Sequence, residues 1–386
     1  MLDIVKLQKA IIRENLEGWL FFNFHHKDDF ADRFLKVDPE AMNSRRWFYF
    51  VPAEGEPTAI VHAIETDPLN HLPGSKKIYS KAEELEVILK PLACRCGTAF
   101  SEKQTSLSYL DHGTAIFLTK MGYTLKSAEG LIQRTMSLLS ENQMASHEKA
   151  AEALYTIVDE IWEEIKKAFQ KGKKISERTI QESILYKIAE RGMVTEHRPI
   201  VASGQNSGNP HYGPAEDSPD LEDNEIVQFD LWGKFPGEDG IYADISQVGY
   251  LGSTAPEYES ALFQTILDAR DTAVKFISDQ MKAGEEVRGR EVDEAARKVI
   301  ISRGKEEWIS HRTGHGIDAE IHGWGVNMDS IEFPDDRLLL DGSCFSIEPG
   351  IYSGEIGCRT EINVYIKNGT PVISGGPIQK KLRTLR

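Results

Sequence analysis

The sequence predicts an α+β protein with a smaller mixed region over residues 1–135 and a larger region over residues 136–386. Two observations predict this class. The first region alternates short aromatic or β-branched runs with short helical segments. The second region shows one order of elements twice: a long helix, a shorter helix and then strands. A chain of 386 residues has room for both regions and for a large core.

The clearest elements of the first region are two strands and a helix. Trp47–Val51 combines aromatic and β-branched side chains, and Pro52 ends the run. Thr58–His62 is the predicted partner strand, reached through the turn-forming segment Glu54–Pro57. Glu83–Lys90 has the pattern of a short helix. No catalytic signature is recognisable in this region.

The first half of the larger region is predicted to begin with two helices. A polar stretch over 137–146 leads into a long helix with apolar residues at helical spacing up to Phe169, and Gly172 ends it. Ser176 is placed to cap the next helix, which Gly192 ends. The strands that follow are predicted over 200–202, 226–232 and 241–251.

The second half repeats that order. Pro256 opens a long helix that Gly284 ends, and a shorter helix runs up to Gly304. Its strands are predicted over 308–311, 344–347 and 359–366. The repeated order suggests a duplication without sequence identity, although α/β order is common enough for coincidence. A duplication predicts that the strands of both halves share one sheet, with a pocket at the seam.

Composition limits the classes of function. Lys and Arg number 45 and Asp and Glu number 61, so the formal net charge is −16. Such an acidic surface repels phosphate backbones and anionic lipids, which argues against nucleic-acid or membrane binding. The four cysteines form no C-x-x-C pair, and charged residues interrupt the N-terminal segment where a secretory signal needs an apolar run. We therefore expect a cytoplasmic protein with reduced thiols.

Two aspartates of the first half are candidate metal ligands. Asp230 ends an apolar run, and Asp244 lies fourteen residues further on, across a turn over 234–240. An aspartate inside a strand is costly to bury unless it is paired or bound to metal. Two aspartates on adjacent strands repel each other, and a cation relieves that repulsion. Exposed or turn-capping aspartates are the alternative explanation.

The second half adds two carboxylates. Glu348 directly precedes Pro349, and Glu361 alternates with Arg359 and Asn363, so these three side chains are predicted to share one strand face. A solvated polar face is the alternative explanation for that alternation.

Three histidines lie near these carboxylates in sequence. His315 and His322 are seven residues apart in a glycine-flanked stretch with little helical patterning, and His211 lies in the first half. A lone histidine is usually structural, but two histidines seven residues apart in such a stretch are less easily dismissed as structural. Four carboxylates and one imidazole make an oxygen-rich ligand set, which favours Mn²⁺ and accepts Fe²⁺, Co²⁺ or Zn²⁺.

The ordered series of these residues resembles the ligand set of the pita-bread metallopeptidases. That family includes methionine aminopeptidase, aminopeptidase P, prolidase and the metal-free creatinase. The match extends over about residues 147–366, and that fold has the duplicated halves described above. The resemblance implies a pita-bread catalytic domain over 136–386 and a creatinase-type N-terminal α/β domain over 1–135. The implied ligands are Asp230, Asp244, His315, Glu348 and Glu361.

The resemblance also implies a role for each ligand. Asp244 and Glu361 would bridge two divalent metal ions. Asp230 would bind one ion, and His315 with Glu348 would bind the other. Glu348 would also shuttle the proton of a metal-bridging hydroxide that attacks the peptide bond.

Three further residues complete the implied site. His211 and His322 would contact the scissile peptide and stabilise the developing oxyanion. The presence of Arg359 is similar to the pattern of the aminopeptidase P and prolidase branch rather than to that of methionine aminopeptidase.

Two features depart from the family pattern. The turn between the two aspartates is longer, and Gly323 follows His322 where the family often has an acidic residue.

The first hypothesis is therefore a dinuclear-metal exopeptidase of the Xaa-Pro type. It would be an aminopeptidase or a dipeptidase that acts on peptides or dipeptides and forms a homodimer, as the resemblance implies. Two alternatives stay open: a creatinase-like hydrolase that splits a small C–N substrate without metal, and a non-catalytic member that binds peptides. The complete ligand series favours the first hypothesis.

Overall fold

The computed structural model describes residues 2–385, and the chain divides into two units, Met1–Met136 and Ser137–Arg386. The first unit is built on a six-stranded sheet with the order β4-β3-β2-β1-β5-β6. Within it, β2 runs antiparallel to β1 and β3, and the other neighbouring strands are parallel. Its strands are β1 Gly18–Asn23, β2 Trp47–Pro52, β3 Thr58–His62, β4 Ser75–Tyr79, β5 Arg95–Thr98 and β6 Thr124–Ser127. Its helices are α1 Ile4–Arg13, α2 Asp29–Leu35, α3 Ala82–Leu89, α4 His112–Lys120 and α5 Glu129–Ile132.

The central strands of this sheet are apolar on both faces. Successive residues of β2 from Trp47 to Val51 are buried, as helices on both sides of a sheet require. The predicted strands over 47–51 and 58–62 and the predicted helix over 83–90 are confirmed to within one residue.

The first half of the second unit packs two helices against three strands. These elements are α6 Glu141–Gln170, α7 Glu177–Glu190, β7 Ile200–Ser203, β8 Ile226–Gly233 and β9 Ala243–Tyr250. The polar stretch over 137–146 contains the start of α6, because the Ser140 hydroxyl accepts a hydrogen bond from the Gln143 amide in a capping box. The predicted cap at Ser176 is confirmed by its hydrogen bond from the Thr179 amide. The apolar faces of both helices share one core with β8 and β9.

The second half repeats the two helices and adds shorter strands. The helices are α8 Glu257–Ala283 and α9 Gly289–Ser302, and Gly284 ends α8 in the left-handed conformation with φ 78°. The strands are β10 Cys344–Ile347, β11 Gly350–Tyr352, β12 Gly357–Arg359, β13 Ile362–Lys367, β14 Thr370–Ile373 and β15 Arg383–Thr384. Among residues 2–385, no helix combines the length and the apolar character that a bilayer crossing requires.

The expectation that the strands of both halves share one sheet holds only for β15, which pairs with β9 of the first half. The strands form three sheets with the orders β15-β9-β8-β7, β10-β13-β14 and β11-β12. The strand predicted over 359–366 is interrupted at Thr360 and Glu361, because the Glu361 amide donates a hydrogen bond to the Ser246 carbonyl in β9 (3.0 Å). The Asn363 side chain also bonds the backbone of Asp244 in both directions, at 2.8 and 2.7 Å. At the candidate site the halves are therefore joined by individual hydrogen bonds, and elsewhere β15 pairs with β9.

The prediction of a strand over 308–311 is wrong. Glu306–Trp308 is a 3₁₀ turn, and the segment after it is irregular. Side chains bind the backbone carbonyls there: Arg297 donates to the His311 carbonyl (2.9 Å), and the His311 ring donates to the Arg312 carbonyl (2.6 Å). Carbonyl groups that are bound by side chains do not form a strand ladder.

Candidate metal centre

A cavity of about 840 Å³ in the second unit brings together every residue that the sequence singled out. Five of them are the candidate metal ligands, and three are the candidate substrate contacts. The eight lining residues are His211, Asp230, Asp244, His315, His322, Glu348, Arg359 and Glu361.

The β8–β9 hairpin places two carboxylates on one face. Asp230 pairs with Ser246, and Trp232 pairs with Asp244 in the antiparallel register, so the two aspartates are diagonal neighbours. Both are buried, with 6% and 5% of their surface exposed. The long turn over 234–240 is accommodated at the end of this hairpin without displacing either aspartate from the cavity.

Residues from the second half complete the cluster. Asp244, His315 and Glu361 each place a ligand atom within 4.8 Å of the others, and all three are buried. The His315 Nε2 atom lies 3.6 Å from Asp244 Oδ2 and 3.4 Å from Glu348 Oε1. The His315 Nδ1 atom faces the Gly316 carbonyl (3.2 Å), which leaves Nε2 directed at the carboxylates.

Two of the buried carboxylates are incompletely paired within the protein. Asp244 Oδ1 and Glu361 Oε1 are buried and have no hydrogen-bond donor within residues 2–385. Burial and then the Asp230 charge raise the pKa of Asp244 well above its usual value. Burial and then the Asp244 charge do the same to the pKa of Glu361. A divalent cation relieves both effects, so these residues fit a metal site.

Asp230 is compensated within the protein. The Arg359 guanidinium binds Asp230 Oδ2, and the Arg359 Nε–H donates to the Ser246 hydroxyl (3.2 Å). The Ser246 oxygen lies 2.8 Å from Asp230 Oδ1 and 3.1 Å from Glu361 Oε2, so it connects the two carboxylates. The sequence reasoning missed Ser246, although its position two residues after Asp244 places it on the same strand face.

Glu348 lies at the end of β10 and is held by local hydrogen bonds. Its amide donates to the Thr313 carbonyl (2.7 Å), and the Ser346 hydroxyl donates to Glu348 Oε1 (3.1 Å). The same oxygen lies 3.4 Å from His315 Nε2. Glu348 is therefore positioned as an acceptor beside His315.

The two other histidines lie on exposed parts of the cavity wall. The His322 ring centroid is 4.3 Å from that of His315, at an interplanar angle of 83°. The His315 charge, burial and the Arg312 charge lower the pKa of His322 to about 3, so His322 is neutral at pH 7. The His211 amide donates to Asn209 Oδ1 (3.1 Å) in a tight turn beside the cavity.

The cavity also has walls that sequence reasoning missed. Trp232 and Ile321 contribute apolar surface, and His311 and Arg312 line it from the loop that precedes His315. Trp232 follows Asp230 by two residues, so strand alternation was a signal for it. The loop residues carried no signal of their own, because a strand was predicted over 308–311.

Comparison with known proteins adds an independent line of evidence. Residues 116–368 match the model of metallopeptidase family M24. The Xaa-Pro dipeptidase of Lactobacillus delbrueckii subsp. lactis is 35% identical over 199 residues, 50% of this chain and 50% of that protein. The recombinant prolidase from Thermococcus sibiricus gives a TM-score of 0.65 at 24% identity and 100% coverage of both chains. The dipeptidase PepE from Mycobacterium ulcerans gives a TM-score of 0.72 at 21% identity, covering 99% of this chain and 96% of that one.

These likenesses differ in what they establish. The chain spans about half the length of the first curated relatives that it matches. At identities below 25%, the two solved structures show the fold alone. They confirm the predicted α+β fold, a pita-bread domain preceded by a smaller N-terminal domain.

Proposed function

This chain belongs to metallopeptidase family M24, and on that premise we propose that it is an exopeptidase of the Xaa-Pro type, a dipeptidase or an aminopeptidase. One observation carries the proposal: the buried cluster of Asp244, His315 and Glu361, whose carboxylates each keep one buried oxygen without a hydrogen-bond partner among the described residues. The similarity to Xaa-Pro dipeptidases supports the choice of substrate class.

The five acidic or imidazole residues would hold two divalent metal ions, with Mn²⁺ as the first choice and Co²⁺, Fe²⁺ or Zn²⁺ as substitutes. Bound there, such ions activate water and polarise a carbonyl. Asp244 and Glu361 would be shared by both ions, Asp230 would bind one, and His315 with Glu348 would bind the other. The orphaned oxygens of Asp244 and Glu361 support this assignment.

Other groups of this chain would handle the proton and the substrate. Glu348, fixed by Ser346 and Thr313, would take a proton from the attacking water and pass it to the leaving amine. His322 is neutral at pH 7 and would donate an N–H to the developing oxyanion, with His211 as the second donor. Arg359 would hold the Asp230 carboxylate in place through their ion pair.

We assign residues 1–135 to a creatinase-type N-terminal domain and residues 136–386 to the catalytic domain. The division of the chain between Met136 and Ser137 supports this boundary. We also propose a homodimer, which light scattering at micromolar concentration tests, and a cytoplasmic location, which the four free cysteines support.

The test is a panel of Xaa-Pro dipeptides and longer Xaa-Pro peptides, with Mn²⁺, Co²⁺ or Zn²⁺ added back to chelator-treated protein. We expect no hydrolysis after chelation and recovery with at least one metal. Full activity in metal-free protein would favour the creatinase-like alternative. Peptide binding without turnover, with metal present, would favour the non-catalytic alternative.

A further inference from the structure

The segment over 203–212 carries His211 to the cavity and has no regular structure beyond a 3₁₀ turn over Gly204–Gly208. His211 is exposed, and its ring has no hydrogen-bond partner within residues 2–385. The direction of the ring therefore depends on the backbone on either side of it. A donor that stabilises an oxyanion has to be held in place before the reaction, so the groups that fix this segment bear on catalysis.

Glu177, the first residue of α7, binds both ends of this segment. It is 0% exposed. At the start of the segment, the Ser203 amide and hydroxyl donate to Glu177 Oε1 at 2.7 and 2.9 Å. The Asn206 side-chain amide donates to both carboxylate oxygens at 3.1 Å. At the far end, the Tyr212 hydroxyl donates to Glu177 Oε2 at 2.7 Å.

The Glu177 carboxylate depends on these hydrogen bonds. No basic side chain within residues 2–385 forms an ion pair with it, and a carboxylate buried without a cation has to be satisfied by donors. Burial and then the hydrogen bond to Glu177 raise the pKa of Tyr212, so its hydroxyl is a donor at pH 7. Moving the segment away would leave a buried carboxylate without donors, which is costly.

The two neighbours of His211 in sequence are held by different groups. Arg359 Nη1 donates to the Pro210 carbonyl (3.2 Å), whereas Tyr212 is held by Glu177. Arg359 also binds Asp230 and therefore affects the candidate metal ligands directly. Glu177 does not line the cavity and can reach the reacting centre only through the segment.

We infer that Glu177 is a positioning residue for hydrolysis: it holds Tyr212 and the start of the segment so that His211 presents its ring to the scissile peptide. The inference rests on the proposed function, in which His211 is an oxyanion donor. Glu177 itself touches no substrate, and Tyr212 connects it to the histidine.

Two variants weaken this anchor to different degrees. Glu177→Gln replaces one acceptor oxygen by a donor group where all the partners donate. Tyr212→Phe removes only the hydroxyl beside His211 and keeps the bonds from Ser203 and Asn206. On Ala-Pro, kcat should fall about 10- to 100-fold in Glu177→Gln and about tenfold in Tyr212→Phe, because small displacements of a catalytic group have effects of this size. KM should change little, since the oxyanion contact is made in the transition state.

A double-mutant cycle with His211→Ala separates positioning from a general structural loss. In the His211→Ala background, Glu177→Gln and Tyr212→Phe should lower kcat little further, because the group that they position is already absent. Tyr186→Phe and Glu190→Gln are the matched controls. These two side chains form a tyrosine–glutamate hydrogen bond (3.5 Å) on the exposed face of α7, and each control should keep the wild-type kcat.

Hydrogen–deuterium exchange tests the anchor without relying on activity. The amides over 203–212 should exchange faster in Glu177→Gln and in Tyr212→Phe than in wild type, with the largest change at the Ser203 amide in Glu177→Gln. Tyr186→Phe should exchange as wild type does. Wild-type exchange in both anchor variants would overturn the inference.

Two kinetic outcomes would also overturn it. One is a wild-type kcat in Glu177→Gln. The other is a full additional loss in the His211→Ala background, which indicates that Glu177 acts on the fold in general or that Tyr212 contacts the substrate itself. If wild-type protein hydrolyses no Xaa-Pro peptide, the proposed function fails, and the exchange measurement then decides whether Glu177 fixes the segment that carries His211.

Discussion

The buried carboxylates on the two sides of the cavity differ in their partners. On one side, Asp230 binds the Arg359 guanidinium and the Ser246 hydroxyl. On the other side, Asp244 and Glu361 each keep one buried oxygen without a donor among the described residues. Burial does not separate the two sides, because Asp230 is 6% exposed, Asp244 is 5% and Glu361 is 2%. The supply of positive charge separates them.

The difference arises from the side chains that the second half places against the β8–β9 hairpin. Asp230 and Asp244 lie on adjacent strands, but β12 places an arginine against Asp230, whereas the loop after α9 places an imidazole against Asp244. A neutral imidazole offers no charge to two carboxylates. The protein therefore supplies a cation of its own to Asp230, whereas Asp244 and Glu361 depend on bound metal ions for their positive charge.

The largest expected effect comes from removing the charge on the uncompensated side. Asp244→Asn keeps the shape of the side chain but removes a shared metal ligand, so Xaa-Pro hydrolysis should fall about a thousand-fold or more. The metal-free variant should also be more stable than metal-free wild type at pH 8, because a buried repulsion is lost. Steady-state kinetics and chemical denaturation measure both effects. Asp239→Asn, in the exposed turn of the same hairpin, is the control, and wild-type activity in Asp244→Asn would refute the assignment.

The compensated side is tested by removing its cation. Arg359→Met leaves Asp230 buried beside no positive charge, and breaking a buried pair costs about 3–5 kcal/mol of unfolding free energy. Arg359→Lys restores the charge without the two-pronged geometry and should recover part of that loss. Urea denaturation at pH 7 measures the unfolding free energy of wild type, Arg359→Met and Arg359→Lys. Unchanged stability in Arg359→Met would show that Asp230 needs no protein cation.

Metal removal should affect mainly Asp244 and Glu361, the carboxylates that no arginine within residues 2–385 pairs with. The folded-state pKa values of Asp244 and Glu361 are raised, so the folded metal-free protein binds more protons than the unfolded chain. The contribution of these groups to stability is therefore lost as pH rises above about 4. Bound metal should add about 2.7 kcal/mol to the free energy of unfolding when its free concentration is about 100 times its Kd.

Denaturation of wild type and Asp244→Asn, with and without chelator at pH 5 and pH 8, checks this expectation. Chelation should destabilise wild type more at pH 8 than at pH 5 and should change Asp244→Asn little. A larger effect at pH 5 would have the wrong sign for raised carboxyl pKa values.

The smallest expected effect concerns Ser246, whose hydroxyl links the two sides. Ser246→Ala removes the bonds to Asp230 and Glu361 without changing a charge, and losses of this kind weaken metal affinity about tenfold. Titration of chelated protein with Mn²⁺ measures the change. Ser253→Ala, at an exposed serine just after β9, should bind Mn²⁺ as wild type does.

Sequence periodicity was enough to place the β8–β9 hairpin, because alternation fixes which face Asp230 and Asp244 share. The order of the acidic and histidine residues was enough to predict one cavity for all eight candidates, through the family resemblance. The bonds that join the halves were not predictable, since Asn363 and Glu361 bind Asp244 and Ser246 across more than a hundred residues of chain. Those bonds also explain why the strand predicted over 359–366 is interrupted at Thr360 and Glu361.

The loop that carries Arg312 shows a second limit of sequence patterns. Apolar and aromatic residues over 308–311 predict a strand, but Arg297 and His311 bind the carbonyls that a neighbouring strand would use. A local pattern does not reveal that a distant helix supplies those donors. The position of Arg312 in the cavity is therefore visible only in the structure.

The most direct measurement is the metal stoichiometry of wild-type protein and Asp244→Asn, determined by equilibrium dialysis of chelated protein against Mn²⁺ with elemental analysis. We expect wild type to bind two ions per chain and Asp244→Asn to lose at least one, together with its hydrolysis of Ala-Pro. Equal stoichiometry in both proteins would contradict the claim that Asp244 holds the metal ions. Hydrolysis by wild type with no bound metal would contradict the claim that the reaction depends on them.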